Sequence, residues 1–288
     1  MLIASLLSGE AYAGENRKET APMTDTGQEP LLLRRDEHGV AWLTLNRPGA
    51  RNALSVPLMS ALEAEFAAIQ ADPTITVAVL AGAGPAFCAG HDLKEVRGGD
   101  SAAHQALFAQ CSRLMQAITR LRVPVIACVH GIATAAGCQL VATCDLAIAA
   151  DTARFATPGV NIGLFCSTPM VALSRAVPRK AAMEMLLLGD LIDAGMAVRH
   201  GLVNRAVPGD ELEATVRALA GRIAAKSRRV LALGKPAFYQ QAELPLAEAY
   251  AYTSGVMVRN MQEPDAAEGI DAFLQKRTPV WADETPAD

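Results

Sequence analysis

Two stretches of this chain carry residue types and spacings that could do chemistry. AGAGPAFCAGHDL (81 to 93) and HGIATAAGCQL (130 to 140) each leave a run that reads as a buried strand. Glycine lets the backbone approach a ligand closely and adopt dihedrals closed to other residues, so such loops can aim peptide N–H groups at an acceptor. The second loop runs into a helix at Gly137. The first turn of a helix has unpaired N–H donors and a partial positive charge, which suits an anion. Taken singly, each loop reads equally well as a tight turn between packed elements. Neither matches a Walker phosphate loop, no GxGxxG fingerprint follows the first strand, and no GxSxG elbow is present, which argues against nucleotide and serine-hydrolase chemistry. Asp92, beside His91, is of the type that caps or orders a loop by accepting backbone N–H bonds.

These loops need a scaffold, and the hydrophobic pattern supplies one. VAWLTL from Val40 reads as a strand, and NRPGARNAL after it as a loop, because Pro48 and Gly49 break any regular pattern. Met59, Leu62, Phe66 and Ile69 recur at spacings of three and four, so a helix follows, ended by Asp72-Pro73. ITVAVLAG (75 to 82), PVIACVHG (124 to 131) and CDLAIAA (144 to 150) read as buried strands, with a helix over 102 to 121. Buried strands separated by helices predict an α/β fold. After about residue 168 the pattern is helical and rich in alanine. Residues 1 to 29 are read as a flexible tail: MLIASLLSGEAYAG has an A-x-A but no basic n-region, the polar stretch after it cannot bury a core, and Met23 is an alternative start.

Composition narrows the partner. The apolar fraction of 51% is ample for a core, and 26 basic against 30 acidic residues leave a net charge of −4 without a basic block, so no nucleic-acid partner is expected. No uninterrupted apolar run is long enough to span a bilayer, so no membrane partner is expected either. Cys88, Cys111, Cys128, Cys138, Cys144 and Cys166 form no CxxC and sit mostly in apolar runs, which reads as reduced core thiols in a cytoplasmic protein, with no metal site. A small molecule is the expected partner.

Five segments, in order, carry a family resemblance: LNRPGARNAL (45 to 54), AFCAGHDLKE (86 to 95), PVIACVHGIATAAGCQLVATCDLAIA (124 to 149), FATPGVNIGL (155 to 164) and EGIDAFLQKRTPVW (268 to 281). Over nearly all of residues 30 to 285 the chain resembles the enoyl-CoA hydratase/isomerase (crotonase) superfamily. Through ATPGVNIGLFCSTP and RAVPRKAAMEMLL it is most similar to the enoyl-CoA hydratase domain-containing protein 3-like group. The resemblance implies a crotonase-like β-β-α spiral over 30 to 215, a helical C-terminal oligomerisation region over 216 to 288, and a homotrimer or dimer of trimers.

It also implies a site. Family members hold a thioester oxygen with two backbone N–H groups, which fall here on His91 and on Ala136, where the family usually has glycine. His91 is then used through its backbone rather than its imidazole, while His130 closes a strand and His38, His104 and His200 are surface or packing residues. Ala89, Asp92 and Leu93 flank the first donor in the substrate-binding stretch. Arg51, Ala53 and Leu54 match the segment that lines the coenzyme A nucleotide and pantetheine arm; Phe273 and Lys276 match the helix that reaches a neighbouring subunit's ligand. Coenzyme A is part of the substrate, and no separate cofactor is implied.

The chain departs from the family at the two glutamates that handle water in hydratases, whose positions hold Gln139 and Gly159. Glutamine cannot take up a proton near neutral pH, and glycine has no side chain. Restoring both glutamates is expected to raise hydration. Cys166, Ser167 and Thr168 follow nearby, none an acid, and a bound bicarbonate replaces the carboxylate in some relatives with glycine at this place. Three readings stay open: a weak or specialised hydratase/isomerase, another enolate reaction such as decarboxylation or thioester hydrolysis, and a non-catalytic acyl-CoA-binding or regulatory protein.

Overall fold

The computed structural model describes residues 29–282. All but the last residue of the expected tail, including Met23, lies outside the described residues.

The chain enters as a hairpin, β1 (Leu32–Glu37) and β2 (Val40–Leu45), paired antiparallel through Glu37 and Val40. The two loop residues, His38 and Gly39, both have positive φ (48° and 77°), the requirement of a tight turn that matches strand twist. Next comes α1 (Val56–Ala71), with Ser55 accepting from Leu58 N–H at its start. The predicted stripe of Met59, Leu62, Phe66 and Ile69 is its buried face. Then follow β3 (Val77–Gly82), β4 (Ala86–Cys88), α2 (Leu93–Gly98), α3 (Ser101–Arg120), β5 (Val125–Val129), β6 (Ile132–Thr134), α4 (Ala136–Thr143), β7 (Leu146–Ala150) and β8 (Arg154–Ala156). After these come α5 (Pro169–Ala176), α6 (Arg179–Leu188), β9 (Ile192–Asp193), α7 (Ala194–His200), β10 (Arg205–Val207), α8 (Leu212–Ala224), α9 (Arg228–Gln241), α10 (Leu246–Met261) and α11 (Pro264–Gln275).

The strands form two sheets, in the orders β1-β2-β3-β5-β7-β10 and β4-β6-β8-β9. In the larger sheet β2, β3, β5, β7 and β10 run parallel. Both faces of that sheet are covered, which is why its strands read as continuous apolar runs. Ala41, Leu43, Ala78 and Leu80 face α1 and α3 in the main core, while Val40, Trp42, Val77, Val79 and Ile148 face Leu212, Val216 and Ala220 of α8. Helix α8 therefore spans the boundary drawn at residue 216. All six cysteines are free and buried, as expected of packed thiols.

The smaller sheet was not legible beforehand, since strands of two or three residues show no period. Its consequence is direct: β4 and β6 lie inside the two glycine loops and pair in parallel, so the loops run side by side. Helix α9 is fastened to the core by Lys235, whose ammonium donates to the carbonyls of Ile118 and Val123 and meets Asp145 at 2.7 Å. Tyr239 donates to the same carboxylate at 2.8 Å.

Candidate functional site

The site starts from the loop between β2 and α1. Arg51 and Asn52 both adopt left-handed backbone (φ 51° and 54°), and Asn52 is completely buried. Its amide donates to the carbonyls of Ala83 and Ala86 at 2.8 Å and its oxygen accepts from Arg47 N–H, which pins the loop to β3 and β4. So held, Leu54 donates to the Gly90 carbonyl at 2.7 Å and accepts from Asp92 N–H at 3.0 Å. In such a parallel bridge the residue between, His91, turns its own N–H and C=O to the opposite side. Arg47 braces the arrangement by donating to the Ala53 carbonyl and to Asp92 Oδ2 at 3.0 Å. Asp92 in turn caps α2 through Lys94 N–H, and the Arg47 guanidinium beside it holds its carboxyl below the usual range.

The opposite side is the start of α4. Ala135 is held at φ 51°, ψ −118° by its N–H bond to the Ala156 carbonyl. A non-glycine residue there is strained, by about 1–3 kcal/mol, and nothing in the sequence flagged it. A Cβ on Gly137 would lie 2.0 Å from the Cys88 carbonyl oxygen, and one on Gly90 would lie 2.9 Å from Ala135 Cβ and 3.5 Å from the Ala136 nitrogen. Only glycine permits the two backbones to approach so closely. Ala136 is the first residue of the helix, so its N–H has no intrahelical acceptor. Among the described residues no backbone carbonyl accepts from the N–H of either His91 or Ala136.

Both residues line a cavity of about 600 Å³. Its wall is mainly apolar, with Leu93, Val96, Phe108, Ile162, Leu164 and Phe165 contributing, and among the described residues no Asp, Glu, Lys or Arg lines it. Ala89, Ala135, Gly159 and Cys166 also border it. The imidazole of His91 meets Phe108 edge-on, with ring centroids 5.6 Å apart and planes at 85°. Both ring nitrogens are buried without a hydrogen-bond partner. Burial pushes the pKa of His91 below its ordinary value; the Leu54 carbonyl, near the ring but outside hydrogen-bonding geometry, opposes this.

Of the two positions left without glutamate, only Gly159 borders the cavity. Its φ is not left-handed, so backbone shape is not what demands glycine; a Cβ there would lie 2.4 Å from the Leu164 carbonyl oxygen and 2.9 Å from Cys166 Sγ. Gly159 is glycine because protein fills the space a side chain needs. Gln139 is buried on the face of α4 that meets α3, where its Oε1 lies 3.9 Å from Cys111 Sγ. It borders a separate cavity of about 770 Å³, together with Thr143, Arg175 and Tyr239. Burial raises the Cys166 thiol above its ordinary pKa, in keeping with a packed cysteine. Of the remaining expected positions, Leu54 is fully buried and acts here through its backbone, and Ala53 is half-buried. Arg51 and Lys276 are exposed, as is Phe273 at 81%; none of the three lines the cavity.

The family model for enoyl-CoA hydratase/isomerase matches residues 35–284. The chain is 49% identical over 255 residues to enoyl-CoA hydratase domain-containing protein 3, mitochondrial, of Xenopus laevis, covering 88% of this chain and 86% of that one. Its counterpart in Homo sapiens is 46% identical over 275 residues, 94% of this chain and 88% of that one. A crystal structure of an enoyl-CoA hydratase of Mycobacterium smegmatis is similar at a TM-score of 0.86, with 54% identity over 88% of this chain and 99% of that one. That of human enoyl-CoA hydratase domain-containing protein 3 gives a TM-score of 0.85, with 47% identity over 88% of this chain and all (100%) of that one.

Proposed function

The chain belongs to the enoyl-CoA hydratase/isomerase family, and from that premise we propose that it binds an acyl-CoA thioester and polarises its carbonyl between the N–H groups of His91 and Ala136. The observation that carries this reading is the meeting of two backbone donors without protein acceptors at one apolar cavity. A thioester oxygen satisfies both, and satisfies them better as an enolate, when it carries charge; one such donor contributes about 2.7–4 kcal/mol to a transition state. The apolar wall takes the acyl chain, each buried methylene adding about 0.8 kcal/mol.

The chemistry is an enolate reaction, such as isomerisation or decarboxylation, or thioester hydrolysis through a tetrahedral oxyanion held by the same donors, rather than ordinary hydration of crotonyl-CoA. Among the described residues no carboxylate lines the cavity, and adding water needs a group to take one proton and deliver another. The same absence favours a second reading, an acyl-CoA-binding protein without turnover. A bicarbonate bound beside Gly159, which borders the cavity, is the alternative stand-in for the missing carboxylate. Arg51 meets the coenzyme A phosphates from one copy, and Phe273 and Lys276 serve the ligand of a neighbour in a homotrimer or dimer of trimers. The exposed Leu246, Tyr250, Met257, Val258 and Met261 of α10 and Ile270 and Leu274 of α11 support such contacts. Among the described residues no helix is long and apolar enough to cross a membrane, and the free thiols fit any reducing compartment, the mitochondrial one named for the Xenopus laevis relative as well as the cytoplasm.

The test uses a dialkylaminocinnamoyl-CoA, whose absorption moves to longer wavelength when its carbonyl is polarised, and calorimetry with octanoyl-CoA against octanoate. A red shift on binding and a clear preference for the thioester are expected. Binding without a shift removes the oxyanion role, and equal affinity for acid and thioester removes the coenzyme A assignment. Turnover across an acyl-CoA panel then separates enzyme from binding protein.

A further inference from the structure

The two family carboxylates are absent, so an α-proton can leave the substrate only by another route, and one group at the cavity is placed for it. The imidazole of His91 belongs to the residue whose N–H is one of the two carbonyl donors, so the ring and the α-carbon of a thioester bound there share a wall. Both ring nitrogens are sealed from water and have no hydrogen-bond partner among the described residues. Natural interiors leave few polar groups in that state, and each one that persists calls for a partner the folded chain does not provide. His91 lines the cavity, and its ring nitrogens, closed off in this orientation, reach it by rotation of the ring. Phe108, which packs edge-on against the ring, is 37% exposed and so has room to move as the imidazole turns toward a ligand.

We propose that the neutral imidazole of His91 takes the α-proton of the bound acyl-CoA and returns it, so that the site carries out enolisation with a histidine where hydratases of the family use glutamate. This rests on the function proposed above. In the step, the α C–H bond breaks and an N–H bond forms on the ring. The C–H electron pair becomes the double bond between the α-carbon and the thioester carbon, and the carbonyl pair moves to oxygen, where the two N–H groups receive it. Return of the proton from the imidazolium restores the thioester, or delivers it to the γ-carbon of an unsaturated chain and moves the double bond. No other reactant is consumed.

The surroundings favour the neutral ring. Burial keeps it unprotonated at neutral pH, and the nearby titratable groups are otherwise engaged. Asp92 is paired with Arg47, Glu95 accepts from Val56 N–H, His104 bonds the Val96 carbonyl, and Lys94 is exposed on α2. Burial keeps the Cys88, Cys111 and Cys166 thiols protonated.

The experiment follows exchange of the α-protons of octanoyl-CoA in D2O by mass spectrometry, with the affinity of wild-type protein for the same ligand measured by calorimetry. Wild type is expected to exchange above the protein-free background. His91→Gln is expected to lower that rate by about 100-fold or more, the usual worth of a positioned base. The wild-type rate should fall as pH drops through a midpoint below about 6.5, the ordinary value for histidine. Binding without exchange, exchange within a few-fold of wild type in a folded His91→Gln, or a rate independent of pH between about 5 and 8 overturns the inference while leaving the proposed function standing. Absence of binding overturns both. Should His91→Gln fail to fold, the wild-type pH profile decides.

Discussion

Gly159→Ala isolates the reason that this protein lacks the second family glutamate. A Cβ at that position would lie 2.4 Å from the Leu164 carbonyl oxygen and 2.9 Å from Cys166 Sγ, whereas ordinary contact begins near 3.4 Å, so the turn must open by about 1 Å. Opening it stretches the bond from Leu164 N–H to the Gly159 carbonyl, now 2.9 Å, and displaces Leu164 and Cys166, which line the cavity. Overpacking of this kind costs about 1–3 kcal/mol, which at this chain length lowers Tm by about 2–12 °C. Gly221→Ala in α8 is the control, because nothing lies within 4 Å of its Cβ and the residue is helical, so that change is expected to stabilise by about 0.5–1 kcal/mol. Calorimetric melts of the three proteins in one buffer check both signs. A corollary reverses the expectation drawn from family resemblance: Gln139→Glu combined with Gly159→Glu will not raise hydration of crotonyl-CoA, since one glutamate has no space and the other borders a different cavity. A Gly159→Ala protein that melts with wild type, or a folded double variant that hydrates well, refutes the steric reasoning.

Three further outcomes follow from the same geometry. Lys235→Ala leaves Asp145 buried without its cation, with side-chain exposures of 6% and 15% for the pair, and should cost about 3–5 kcal/mol in denaturant unfolding; Lys235→Met, which keeps the packing, should not be stabilising unless Asp145 is neutralised with it. Because burial lowers the pKa of His91, its contribution to stability is present above the unfolded value of about 6.5 and is lost as pH falls through the lower folded value. The pH dependence of unfolding between 7 and 5 should accordingly flatten in His91→Gln, and an unchanged slope contradicts the buried neutral ring. Phe273→Glu with Leu274→Glu places two charges on exposed apolar positions of α11; sedimentation should show a smaller assembly than wild type, and an unchanged mass removes α11 from the interface.

Much of the framework is legible in the residues themselves. The stripe of Met59, Leu62, Phe66 and Ile69 announces α1, because a helix returns to the same face every three to four residues. The runs around 77 to 82, 125 to 129 and 146 to 150 announce strands buried on both faces, because the sheet is covered on both sides. The ordered segments place the chain in its family, and with it the identities of the residues at the donor positions. None of these local signals reports what lies across space. Strands as short as β4, β6 and β8 have no period to detect, yet their pairing is what sets His91 beside Ala136. Gln139 and Gly159 look alike as missing glutamates, but one faces α3 and the other the cavity, a difference decided by helix packing. The need for glycine at 159 comes from a carbonyl five residues later in the chain, and the His91 ring, left without a partner, packs edge-on against Phe108 of α3. Residue type and spacing thus determine which groups are available and which elements carry them. Which groups meet, and which are left without partners, is decided by contacts between segments far apart in sequence, and those exist only once the chain is folded.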